Sequence, residues 1–188
     1  MSTKVIFLDF DGPMIPNRAF FLPNQTPIYS IFDPCAVGML NRLIALSDAK
    51  LVISSTWSSK GIDVCKEVLD KNGVEGDIHP DWTTPKRLTS SRTMEIGWWL
   101  ADHSNVVDWV ALDDERLDAG LLPKFVQCDT HEGFSYRNYL EALKHLNIAT
   151  ARDLEELRYA YCKEVWRLQR AGDPKEHRTW AFANELFS

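Results

Sequence analysis

Short apolar runs that stop on acidic or hydroxyl residues constrain this chain more than any other feature. VIFL, LVI and WVAL are too short for helices and do not alternate with polar residues, which is the pattern of strands buried on both faces. They predict strands over Val5–Phe10, Leu51–Ser54 and Trp109–Leu112, and Lys124–Cys128 supplies a fourth. Segments of helical period lie between them. Asp33 and Pro34 make an N-cap and first-turn pair ahead of Val37, Leu40 and Ile44, a helix reaching about Ser47. A second spans Ile62–Lys71 and ends near Gly73, and a third covers about Ser91–Ala101. Tyr136, Tyr139, Leu140 and Leu143 share one face of a fourth. The stretch His79–Pro85, rich in Pro, Asp and Thr, reads as a loop. This alternation predicts an α/β fold, a Rossmann-like parallel sheet with helices on both faces.

A chain of 188 residues can bury a core without disulfide staples. The four cysteines, Cys35, Cys65, Cys128 and Cys162, are scattered and form no Cys-x-x-Cys pair. That argues against structural zinc and for reduced thiols in a cytoplasmic protein. The opening MSTKVIFLDFDG is broken by Asp9 and Asp11 and reads as neither signal peptide nor anchor, and no run is long enough for a membrane partner to be expected. Net charge is −6. Residues up to Leu146 carry 14 basic and 20 acidic side chains and the remainder 7 of each, so the acidity belongs to the first part. Such a body binds nucleic acid poorly in a nonspecific way, and any contact would be local and salt-sensitive. The expected organisation is a catalytic-type domain over 1–147 and a helical C-terminal extension over 148–188 packed on it. In that extension Gly172 separates two helices, Asp173, Pro174 and Glu176 restart the second, and Leu154, Leu157, Tyr161, Val165 and Leu168 form an apolar stripe. The oligomeric state is not legible.

In an open parallel sheet, ligands bind beyond the carboxyl ends of the strands. Here strand one ends in Asp9-Phe10-Asp11-Gly12, strand two in Ser54-Ser55-Thr56 and strand three in Asp113-Asp114. Asp9 and Asp11 leave an extended chain on the same side, so several carboxylates converge. Like charges that close raise one another's pKa unless a cation neutralises them, and hard oxygen donors suit Mg²⁺.

VIFLDFDG, LVISSTW, a basic residue ahead of a helix and VALDDERLD, in that order, resemble the four motifs of the haloacid dehalogenase-like (HAD) phosphohydrolases, over residues 4–146. Within that superfamily the chain is most similar to capless HAD phosphatase domains of polynucleotide repair. SSTW, Arg92-x-x-Glu95-Ile96-x-x-Trp99-Leu100 and Thr130-x-x-Gly133-Phe134 carry that likeness. The resemblance implies a phosphoric monoester hydrolase with Asp9 as nucleophile through an aspartyl-phosphate and Asp11 as acid and then base. It implies Mg²⁺ held by Asp9, the Asp11 carbonyl and Asp114, with Asp113 or Asp118 in support. It also implies phosphate binding by Gly12, Ser54 and Ser55, with a cation from Arg92 or Lys86. Two positions depart from the pattern. Pro13 stands where the family often has Thr or Val, and Ser58 where the repair relatives often have Arg.

About twenty residues separate Gly12 from Asp33 and about thirty separate Ser54 from Lys86, too few for an inserted cap domain. An open site is expected, with Asn17–Phe32, including Phe20, Phe21 and Tyr29, as a short flap. Openness suits a phosphorylated substrate that is a nucleotide or a nucleic-acid end. A phosphoprotein or small metabolite, a phosphotransferase reaction, or a non-catalytic binding protein on the same fold are the alternatives. Of the tryptophans, at least two of Trp98, Trp99 and Trp109 are expected in the core, whereas Trp57 and Trp82, read as loop residues beside the site, either stack on a base or pack.

Overall fold

Five strands, all parallel, build the sheet in the computed structural model, which describes residues 3–21 and 31–148 together with Lys163, Trp166 and Arg167. The strands are β1 (Thr3–Leu8), β2 (Lys50–Ile53), β3 (Ile78–Thr83), β4 (Val106–Asp113) and β5 (Phe125–Gln127), in the order β3-β2-β1-β4-β5. The helices are α1 (Pro34–Ser47), α2 (Ile62–Lys71), α3 (Arg92–Asp102) and α4 (Tyr136–His145). The chain divides into the units Met1–Ile148 and Ala149–Ser188, and the architecture is that of the first. The helix pair and apolar stripe expected after Ile148 lie outside the described residues. So does the middle of the expected flap, whose start, Asn17–Phe21, is a 3-10 helix with Phe21 exposed.

The core separates by strand parity. Ile6, Leu8, Leu51, Ile53, Val110, Leu112 and Val126 face α1, α2 and α4, while Val5, Phe7, Val52 and Ala111 face Ile96 and Trp99 of α3 and the loop residues Leu117 and Leu122. Fully burying each of the Val, Leu, Ile and Phe side chains among them contributes about 1.5–3 kcal/mol. The starts of α1, α3 and α4 are fixed by side-chain caps. Asp33 accepts from the amides of Cys35 and Ala36, Ser91 from that of Met94, and Ser135 forms a capping box with Asn138. The chain winds from β1 outward to β3 over one face, then crosses on the other face through α3 to β4. The winding therefore reverses between β1 and β4, the place where an open sheet leaves a crevice.

One expectation is corrected. Most of the segment read as a loop from His79 to Pro85 is the edge strand β3. Proline masks the signal, because Pro80 lacks an N–H, which only an edge strand or a bulge tolerates. Both apply here: two steps along β2, Leu51 to Ile53, are matched by Ile78 to Thr83 on β3. Trp82 accordingly stands on a strand, partly buried against the larger core. Trp99 is buried and Trp109 packs against the smaller core, whereas Trp98 lies under the Arg87 guanidinium. No helix among the described residues is long and apolar enough to cross a membrane. Cys35, Cys65 and Cys128 are free thiols.

Candidate active site

The strand register carries a polar row across the sheet. Phe7 pairs with Val52 and Ala111, Leu8 with Ile53 and Leu112, and Ile53 with Thr83. One residue further on, Thr84, Ser54, Asp9 and Asp113 become neighbours, on the face that below them is filled by Val52, Phe7 and Ala111. Backbone bonds extend the ladders to this level, from the Asp9 amide to the Leu112 carbonyl (3.0 Å) and from the Ser54 amide to the Leu8 carbonyl (3.1 Å). All four side chains are buried. The hydroxyls of Ser54 and Thr84 have no hydrogen-bond partner. Buried hydroxyls left unpaired cost free energy, so an unpaired pair beside two carboxylates points to a ligand.

The carboxylates are equally unbalanced. Burial pushes Asp113 up to about 7, and the Asp9 charge beside it adds to the rise. Burial likewise raises Asp9, against the pull of Arg92 and hydrogen bonds from Ser55 and the Phe10 amide. Arg92, at the first turn of α3, donates from Nη1 to Asp113 Oδ2 at 3.1 Å and stands 3.7 Å from Asp9 Oδ1. Glu95 orients it from one turn on, 3.9 Å from Nε, and is itself held by the Ser90 hydroxyl at 2.7 Å. One guanidinium over two buried carboxylates, with Asp114 adjoining, leaves excess negative charge. The oxygens of Asp9, Asp113 and Asp114 lie within 4.8 Å of one another and could hold a metal ion.

Gly12 makes room for this. Its φ is +81°, and a Cβ there would sit 2.3 Å from Asp114 Cγ, so only glycine fits. Asp114 Oδ2 accepts from the Thr130 hydroxyl at 2.9 Å. Pro13 is tolerated because its contribution is a carbonyl, which accepts the Phe134 amide at 2.8 Å. Asp11 is exposed, and its Oδ2 accepts from Trp57 Nε1 at 3.0 Å. Trp57 lies in a 3-10 helix, Thr56–Lys60, that follows β2, with Lys60 Nζ 3.5 Å from its ring centre and Phe10 against it. Ser58 donates to the Ser55 carbonyl. Lys86 Nζ donates to that same carbonyl at 2.7 Å and, with Arg92, Thr56, Ser90 and Ser91, lines a cavity of about 250 Å³. Burial, then the neighbouring Arg92, lowers its pKa.

Asp9, Gly12, Ser54, Ser55, Arg92, Asp113 and Asp114 thus come together, whereas the Asp11 carboxylate, expected to converge with the other three, lies outside their cluster and meets Trp57. Asp118 is exposed, its carboxylate accepting the Gly120 amide within its own turn. Trp82 sits on the edge strand, and Trp57 serves as a hydrogen-bond donor to Asp11.

The family described as the HAD domain in Swiss Army Knife RNA repair proteins matches residues 5–139, from β1 into α4. The chain belongs to that family. No curated protein and no solved structure matches. Membership makes this HAD domain, at the general level, a phosphatase-type hydrolase with an acidic cluster that could bind a metal. Three residues of its site escaped the sequence reading as site residues. Thr84 was hidden by the unrecognised strand. Glu95 and Thr130 stand inside the quoted motifs, and a carboxylate one turn from Arg92 was the available signal for Glu95.

Proposed function

We propose that this HAD domain is a Mg²⁺-dependent phosphomonoesterase that works through an aspartyl-phosphate on Asp9 and acts on a nucleotide or polynucleotide terminal phosphate. The observation that carries this reading is the buried row Ser54, Asp9, Asp113 with Arg92 above it, charged beyond what its partners balance. Hard oxygens and surplus negative charge fit magnesium. Asp9, Asp114 and the Asp11 carbonyl would hold the ion, with Asp113 in support, and when bound it neutralises the carboxylates and the phosphoryl oxygens. A phosphate presented to the row meets the unpartnered Ser54 hydroxyl. Lys86 adds charge, having given the Ser55 carbonyl one of its three donors.

In the first step an Asp9 oxygen forms a bond to phosphorus. The bond from phosphorus to the leaving oxygen breaks, and that oxygen takes the Asp11 proton. In the second step Asp11 takes a proton from water, whose oxygen bonds to phosphorus as the Asp9 oxygen leaves. Phosphate and free Asp9 result. Trp57 holds Asp11 in place through its 3.0 Å bond. The RNA-repair context of the family supports a polynucleotide end, as does the shortness of the intervals where a cap would be inserted, about twenty residues from Gly12 to Asp33 and about thirty from Ser54 to Lys86. Between Ser54 and Lys86 lie only the short helix after β2, α2 and β3, all integral to the fold. The test is a panel of phosphorylated nucleotides, oligonucleotide 3′ and 5′ ends, sugar phosphates and phosphopeptides with Mg²⁺. Preference for a nucleotide or an oligonucleotide end supports the reading, and preference for sugar phosphates or phosphopeptides overturns its substrate half.

A further inference from the structure

Two cavities meet at Thr56, and they differ in chemistry. The one with Arg92 and Lys86 also carries Glu95 and Glu115, so two basic side chains face two acidic ones there. The other, of about 440 Å³, is lined by Asp11, Thr56, Trp57, Ser59 and Lys60. On the proposed reading, on which this inference rests, Asp11 protonates the leaving oxygen, so the cavity that contains Asp11 receives the leaving group. Its remaining lining is two hydroxyl-bearing residues, an indole and an ammonium.

The indole offers little to a base. Lys60 covers one face, Phe10 packs against the ring with centroids 5.9 Å apart, and the N–H is bonded to Asp11. Lys60 is different. It is exposed, its ammonium is held 3.5 Å from the Trp57 centroid, and it has no carboxylate within ion-pair distance among the described residues. A cation set on an aromatic platform keeps a defined position without being neutralised. Lys60 is thus the cation of this cavity, in an otherwise acidic protein. We propose that Lys60 reads a second phosphate on the leaving alcohol, so that the site selects phosphomonoesters whose leaving group is itself a phosphate ester. A polynucleotide end or a nucleoside bisphosphate meets that requirement; a mononucleotide with one phosphate does not.

Affinity tests this apart from turnover. In the Asp9→Asn protein with Mg²⁺ present, a nucleoside 3′,5′-bisphosphate should bind about tenfold more tightly than the better of the two corresponding monophosphates, the size expected of one partly exposed charge-assisted bond. Adding Lys60→Gln should erase that preference, Lys60→Arg should retain it, and rising salt should shrink it. Equal affinities in the Asp9→Asn protein, or a preference that survives Lys60→Gln, overturn the proposal. If the preference holds but wild-type protein hydrolyses no phosphomonoester, the phosphatase reading fails and the two-phosphate site stands.

Discussion

Helix α3 has very different neighbours at its two ends. At its start Arg92 lies over Asp9 and Asp113, carboxyls held above their ordinary range, beside hydroxyls with no partner. At its end His103 stacks flat on Trp99, ring centres 3.6 Å apart. Its Nδ1 meets the Trp99 carbonyl at 2.6 Å and its Nε2 meets Asp81 at 2.9 Å. Trp99 Nε1 donates to the Asp81 carbonyl, and His79 Nδ1 accepts the Asp81 amide. Both ends gather three side chains whose ligand atoms lie within 4.8 Å, so counting metal-type residues does not separate them. Saturation does. With Nδ1 accepting, a neutral His79 carries its proton on Nε2 and has no lone pair left for an ion. The histidines at the far end are engaged by Asp81 and Trp99, whereas the near end includes two buried hydroxyls with no hydrogen-bond partner.

That contrast breaks most sharply at Asp9. Asp9→Asn should lower phosphomonoesterase turnover by about 10³-fold or more, since nucleophile loss is among the largest single effects. The same change should leave the melting temperature unchanged or raise it, because a buried, repelled carboxylate is removed. A variant that is both active and less stable would show the two ends to be alike. Arg92→Lys keeps a charge but loses the planar fork shared by Asp113 and Asp9, and turnover should fall about 10²-fold. Steady-state kinetics on an aryl phosphate, with circular dichroism to confirm folding, decides it.

The near end was the more legible of the two. Asp9, Ser54 and Asp113 announce themselves because each follows an apolar run too short to be anything but a buried strand, and register then makes them neighbours. The far end was invisible, since it depends on β3, where Pro80 and a bulge erase the alternation that marks a strand. Thr84 was lost for the same reason. Trp57 shows another limit: its place beside the site was readable, but its bond to Asp11 and the covering of its face by Lys60 are matters of side-chain direction. Pairwise geometry of that kind has no sequence period.

Metal addition sharpens the comparison on the stability scale. Mg²⁺ at a hundredfold excess over its dissociation constant should stabilise the folded protein by about 2.7 kcal/mol. Asp114→Ala should abolish the shift and His79→Gln should not, as read by thermal melts with and without chelator. At the far end His103→Ala should cost about 1–2 kcal/mol through the lost stack and hydrogen bonds. Turnover should be unaffected; a parallel loss of kcat would mean that the two ends of α3 are coupled.

The smallest effect is a pH dependence whose sign differs between the ends. Burial lowers the His79 pKa below 6.5, helped by the charges of His103 and Lys50 and opposed by Asp81. The unfolded chain therefore binds the His79 proton at a pH where the folded chain does not, so this group's contribution is full above about 6.5 and is lost as pH falls. Asp113 works the other way. Its folded pKa of about 7 exceeds the ordinary 3.8, so without metal its contribution is lost as pH rises across that interval. Denaturant melts of wild type and His79→Gln at several pH values read the His79 contribution together with its coupling to His103, 5.3 Å away, with Asp113 common to both proteins. The stability difference between the two proteins should shift in favour of the variant on going from pH 7 to pH 5. A shift in favour of wild type would mean that folding raises the His79 pKa, and that the far end, like the near one, carries charge its partners do not balance.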